Sequence, residues 1–197
     1  MRSAPVARGG RTSFESSGSR DLRHTVYTIG HSTRTTAEFV TLLRQVAVEL
    51  LVDVRSIPWS RANPQFNAET LPEALSRERI GYRHISALGG RRHRVADAAP
   101  SPNTYWRHAS FRAYADYAST DAFRAGLDEL CELAGTHRCA IMCAEALWWR
   151  CHRRIIADYL LDRGFDVRHI LGRDHVDPAT PTPGVHRSRG VLVYPRP

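Results

Sequence analysis

Lysine is absent from this chain. All 28 basic residues are arginine, set against 20 carboxylates in 197 residues, for a formal charge of +8. A planar guanidinium grips phosphate and carboxylate bidentately, so the balance points to an anionic partner, a small molecule or nucleic acid. A solvated basic surface written by a GC-rich genome explains the same composition, and the arginines are spread along the chain rather than massed in one tail. Long apolar runs are also missing. None approaches the roughly 18 residues that cross a bilayer, so no membrane span is expected. Residues 1–24 carry arginines but no apolar core of a secretory signal, and their Gly, Ser and Arg content reads as a disordered basic leader. Cysteine is scarce: Cys131, Cys139, Cys143 and Cys151 form no C-x-x-C pair. Without an export signal the expectation is a reducing cytoplasm and free thiols, and the spacing does not suit a zinc finger. No internal repeat is found.

What is present alternates between two periods. The segments 25–32, 48–57, 81–86, 138–145 and 165–171 are apolar and of strand length. Between them, 35–48, 68–80, 111–135 and 151–164 have helical spacing. Thr35 and Glu38 form a capping-box pattern, and Gly135 and Gly164 read as stops. Residues 58–67 form a proline-broken loop, 87–110 a long loop rich in turn formers, and 172–197 a turn-rich tail in which 191–195 reads as a final edge strand. Strand and helix in repeated succession predict a single three-layer α/β domain over residues 25–197, with a mostly parallel central sheet flanked by helices.

Open parallel sheets bind ligands beyond the carboxyl ends of their strands. Three strand ends carry polar groups: His31 and Ser32; Asp53 and Arg55; and Cys143 and Glu145, followed by Cys151, His152 and Arg153. His31 suits a base, a metal ligand or a backbone contact. Asp53 lies inside an apolar run and needs a partner if buried; an ion pair with Arg55 is the structural reading. Arg55 and Arg61 bracket the proline loop and can clamp an anion. Cys143 sits between strand and helix, where amide dipoles lower a thiol's pKa, although the segment to Arg150 is one residue too long and lacks the glycine of a phosphatase-like loop. A metal set of Cys143, Cys151, His152 and His31 fits by type, yet adjacent ligands at 151 and 152 point apart on a helix. Trp148 and Trp149 read as a lid, and Tyr105, Trp106, Tyr114 and Tyr117 as core. The Leu88-Gly89-Gly90 stretch with Arg91 and Arg92 lacks the strand-to-helix setting of a dinucleotide loop.

Five blocks taken together, IGHSTR, LLVDVRSIPWSRANPQF, YRHISALGG, FRAYADY and MCAEALWWRCHRRIIADYL, resemble the bacterial domain-of-unknown-function family 488, from about Tyr27 to Leu171. The resemblance implies a compact α/β domain and no established activity. The family's signature residues fall on His31, Ser32, Asp53, Arg55, Arg61, Gln65, Cys143, Glu145, Cys151, His152 and Arg153, and on the prolines and glycines beside them.

The leading expectation is a small enzyme, a hydrolase or group transferase, acting on a phosphate-bearing or nucleic-acid-related substrate. His31 or Glu145 would serve as acid or base and Cys143 or Cys151 as nucleophile. Arg55, Arg61 and Arg153 would hold the anion, with Ser32, Asp53, Gln65 and His152 assisting substrate binding. A non-catalytic nucleic-acid-binding module and an enzyme or sensor using a divalent metal are the alternatives. Convergence of a carboxylate, thiols and histidines on one sheet edge favours the enzyme.

Overall fold

The buried apolar runs become the strands of one sheet, and their alternate residues divide the core in two. The computed structural model describes residues 25–92 and 100–196, so the expected leader lies outside the described residues. Strands β1 (Thr25–Gly30), β2 (Leu50–Asp53), β3 (Gly81–His84), β4 (Cys139–Cys143), β5 (Asp166–Gly172) and β6 (His175–Pro178) pair in the order β3-β2-β4-β1-β5-β6. The first five are parallel, and β6 adds an antiparallel edge. Helices α1 (Thr36–Arg44) and α2 (Leu71–Ser76) cover one face with Phe39, Leu43, Leu71 and Leu75, against Ile29, Leu51 and Met142. Helices α3 (Ala109–Tyr117), α4 (Asp121–Thr136) and α5 (Arg153–Asp162) cover the other. There Tyr114, Leu127, Leu130, Ile156 and Leu160 meet Val26, Val52 and Ile141. Val26 against Ile29, and Val52 against Leu51, show the period-two alternation of a strand buried on both sides. The architecture is the expected three-layer α/β fold.

Local chemistry explains most boundaries. The Thr35 hydroxyl accepts from the Glu38 amide, and the Glu38 carboxylate accepts from the Thr35 amide, closing the capping box of α1. Thr120 caps α4 and separates it from α3, so residues 111–135 form two helices. Gly135 is no stop: α4 runs to Thr136, and Gly164, at φ +86°, ends α5 as expected. Residues 191–195 do not join the main sheet. Strand β8 (Val191–Val193) pairs only with β7 (His186–Ser188) in a separate hairpin, and Leu192 and Tyr194 pack beneath it. Among the described residues no helix is long and apolar enough to cross a membrane.

The topology also fixes where a crevice opens. The connection from β1 passes through α1 to β2, on one side; the connection from β4 passes through α5 to β5, on the other. β1 and β4 are neighbours, with Gly30 beside Cys143, so their carboxyl ends form the switch point. The ladder continues past both ends, because His31 N–H donates to the Cys143 carbonyl and Ser32 N–H to the Ala144 carbonyl. Gly30 is required here: a Cβ would lie 1.9 Å from the Glu145 carbonyl oxygen. Gly30→Ala is expected to cost about 3 kcal/mol or more, since rigid backbone blocks the methyl. A thermal melt should fall by roughly 10 °C; an unchanged melting temperature would show that the 144–146 backbone yields freely.

Candidate active site

A cleft of about 400 Å³ opens at this switch point. His31, Arg55, Cys143, Glu145, Cys151 and His152 line it, so it gathers six of the eleven residues singled out in the sequence. Ser32, Asp53, Arg61, Gln65 and Arg153 do not line it. Ile57, Trp59, Phe111 and Tyr114 supply apolar wall, and Arg91 and Arg150 stand at it as exposed cations with no ion pair among the described residues.

The floor is a pair of sulfurs. Cys143 ends β4, and Cys151 precedes α5 in an extended conformation, φ −132° and ψ 151°, outside the helix expected to begin there. Their Sγ atoms lie 2.9 Å apart, and both residues are buried. Behind them Arg153, 1% exposed, spends its guanidinium inward. Nε donates to Cys143 Sγ at 3.1 Å, Nη1 to the Thr28 hydroxyl at 3.3 Å, and Nη2 to the carbonyls of Glu145 and Ala146. No carboxylate among the described residues pairs with Arg153. A buried guanidinium needs a negative partner, and the sulfur pair is the one in contact. Burial opposes the charge of Arg153, yet the two cysteines more than offset this and hold its proton tightly.

The two sulfurs are close enough to titrate as a pair, and their pKa values move apart. Burial by itself would raise Cys151. The hydrogen bond from Cys143, then His152 and Arg153, carries it well below the usual thiol range. Cys143 moves well above that range, first through burial and then through Cys151. The Arg153 amide, in the first turn of α5, also donates to Cys151 Sγ at 3.5 Å, and the Glu145 amide to Cys143 Sγ at 3.3 Å. The two remaining cysteines differ: burial pushes Cys139 up to about 12 and raises Cys131 as well.

Each histidine has one ring nitrogen on a backbone carbonyl. His152 Nε2–H donates to the Val54 carbonyl at 2.9 Å, and its Nδ1 lies 3.4 Å from Cys151 Sγ, where a proton on Nδ1 would be shared with the sulfur. Gly90 allows this packing; its Cβ would lie 2.4 Å from His152 Nδ1. His31 Nδ1–H donates to the Ser32 carbonyl at 2.8 Å, aided by the left-handed backbone of Ser32, φ +50°. The lone pair on His31 Nε2 then meets Arg55 Nη1 at 3.4 Å. Burial lowers the pKa of His31, and Arg55 lowers it further against the Ser32 carbonyl. The ring stacks on Phe66 at 4.3 Å. His31 is thus a neutral, oriented acceptor at the cleft.

Asp53 resolves as the structural ion pair. It is fully buried and takes Arg55 Nε at 2.9 Å, Arg55 Nη2 at 2.5 Å and the Tyr82 hydroxyl at 2.8 Å. Arg55 Nη2 also donates to the Phe66 carbonyl, so only Nη1 is left towards the cleft. Arg61 is exposed and does not line the cleft, and Gln65 Nε2 is used on the Arg34 carbonyl. Glu145 is at the rim, its carboxylate accepting from the Leu147 amide. Trp148 stacks at 4.1 Å on His169, whose pKa burial and Arg153 push down to about 3. Trp106 and Tyr114 are buried, as expected of core.

Cys143, Cys151 and His152 Nδ1 also set three ligand atoms within 4.8 Å of one another. Because Cys151 is extended, the adjacent positions 151 and 152 converge rather than diverge. Charge argues against a divalent ion there. Two thiolates with such a cation are neutral and leave Arg153 unbalanced, whereas a single thiolate balances it. Sequence reasoning passed over Ile57 and Trp59, 54% and 59% exposed on the cleft wall. The available signal was two large apolar side chains flanking Pro58 in a loop that buries little.

The family described as "Domain of unknown function DUF488" matches residues 35–160, well over half of the chain. No curated protein and no solved structure matches significantly. The structural part of the site is open to test. Asp53→Asn leaves Arg55 buried beside a neutral group and is expected to cost about 3–5 kcal/mol in urea denaturation. A loss below about 1 kcal/mol would mean that water reaches Arg55 instead.

Proposed function

The chain belongs to the DUF488 family, and from its cleft we propose that it is a small thiolate enzyme, a hydrolase or group transferase acting on an anionic, phosphate-bearing substrate. One observation carries this reading. Arg153 is buried without a carboxylate partner among the described residues and lies against two sulfurs at the floor of a cleft. A thiolate kept at neutral pH in a switch-point cleft is the nucleophile that covalent group transfer requires.

In this reading Cys151, its thiolate charge held by Cys143 and the Arg153 amide, attacks the electrophilic centre; the bond from that centre to the leaving group breaks, and the group departs with the electron pair and a proton from solvent. Arg91 and Arg150 attract the anion from the mouth, and Arg55 Nη1 meets it inside. His31, neutral and with Nε2 towards the cleft, takes the proton from the incoming acceptor. Water as acceptor gives hydrolysis; a second substrate gives transfer. Ile57, Trp59 and Phe111 favour a substrate with a flat or apolar portion beside its charge.

A second reading, binding of single-stranded nucleic acid without chemistry, has its own support. A groove of about 410 Å³ shares Phe111 with the cleft and is lined by Trp149, Arg107, Arg154 and Arg196 without a carboxylate. It requires affinity for a labelled oligonucleotide that falls steeply with salt and ignores Cys151→Ser.

The enzyme reading is tested by charge-selective alkylation. At pH 7, iodoacetate is expected to label Cys151 at least about tenfold faster than Cys131. Inorganic phosphate should slow it, and Arg91→Glu with Arg150→Glu should remove the advantage of iodoacetate over neutral iodoacetamide. Labelling of Cys151 no faster than of Cys131, or indifferent to phosphate and to both charge reversals, contradicts the proposal.

A further inference from the structure

We infer that Cys143 and Cys151 are a peroxide-oxidisable pair that closes into a reversible intramolecular disulfide, shutting off the cleft. The inference rests on the reading of Cys151 as the thiolate, and it adds a second partner for the site, a small hydroperoxide.

The geometry supplies each requirement. The sulfurs are 2.9 Å apart and come from elements that approach end to end, β4 and the segment before α5, so bond formation needs only a short closure. Both cysteines line the cleft, which gives a small oxidant access to their buried sulfurs. One sulfur is the attacking thiolate and its neighbour holds the remaining proton, the arrangement of an attacking and a resolving thiol.

Cys151 thiolate attacks the terminal oxygen of the hydroperoxide; the oxygen–oxygen bond breaks, and the alcohol leaves with a proton taken up from solvent. Cys151 is now a sulfenic acid. The Cys143 sulfur attacks the Cys151 sulfur, the sulfur–oxygen bond breaks, and the oxygen departs as water with the Cys143 proton. Two electrons have passed from the sulfur pair to the peroxide.

Arg153 makes the step reversible. The disulfide is neutral, so oxidation removes the negative partner of a guanidinium that is 1% exposed. Stabilising the reduced form in this way makes the oxidised form a ready acceptor of electrons from another dithiol. Oxidation also withdraws the nucleophile, while the disulfide protects Cys151 from irreversible over-oxidation.

The test treats the full chain with a small excess of hydrogen peroxide and maps its peptides without reduction. The expected product is a Cys143–Cys151 linked pair, 2 Da lighter than the thiols, formed at least about tenfold faster than any oxidation of Cys131. Dithiothreitol should restore both the thiols and iodoacetate labelling. Cys143→Ser should stop at a sulfenic acid on Cys151 that dimedone captures, and Cys151→Ser should leave Cys143 reduced. Sulfinic or sulfonic acid on Cys151 without the linked pair overturns the disulfide, as does oxidation of Cys131 first. Phosphate-sensitive iodoacetate labelling that persists beside such a result would leave the enzyme reading standing, so the two failures are distinguishable.

Discussion

A positive charge buried with no carboxylate partner among the described residues is the constraint on which this site depends. Arg153 is held by Thr28 on β1, by the Cys143 sulfur at the end of β4 and by two carbonyls of the segment that follows. Those contacts fix its place but do not neutralise it. The sulfur pair is the group in contact that can supply the missing negative charge, and the fold moves Cys151 in that direction. Desolvation that would normally keep Cys151 protonated is outweighed by the hydrogen bond from Cys143, then by His152 and by a guanidinium that cannot itself lose its proton.

The fold brings that charge and the cleft together through close backbone approach. Gly30 lets the 144–146 segment lie directly over the end of β1, and Gly89 and Gly90 let the next loop press on Ser56 and on the His152 ring. The second ion pair, Asp53 with Arg55, braces the neighbouring strand end and presents one guanidinium nitrogen beside His31. One arginine thus acts on sulfur from behind, while the other orders a histidine at the cleft. Both are anchored by the interior, whereas Arg91 and Arg150 stand exposed at the cleft.

Much of this architecture was legible in the amino-acid order. Period-two runs such as Val26 to Ile29 and the Thr35–Glu38 box announce their elements because local sterics and hydrogen bonding decide them. The polar strand ends announced the site, because parallel topology places them on one edge. The direction of each side chain was not legible. Arg153 and Asp53 look like ligand-binding groups in sequence, and they face inward because of partners 125 and 29 residues away, Thr28 and Tyr82. Cys151 and His152 looked helical, and a helix would have kept them apart; the chain enters α5 two residues later, and they converge. The β6 edge and β7 were hidden in a polar tail whose pairing partners, not its composition, make it strand; the apolar strand at 191–193 was legible, but its pairing with β7 apart from the main sheet was not.

The direct test of this account is the ultraviolet absorbance of thiolate near 240 nm, followed as a function of pH in the full chain and in Arg153→Met. Because Cys131 and Cys139 are raised by burial, absorbance below about pH 8.5, where an ordinary thiol is half ionised, reports the Cys143–Cys151 pair. The account predicts one thiolate per chain at pH 7 that disappears in Cys151→Ser and is displaced to higher pH when Arg153 is replaced. A chain with no thiolate at pH 7, or with one that is indifferent to loss of Arg153, would contradict it.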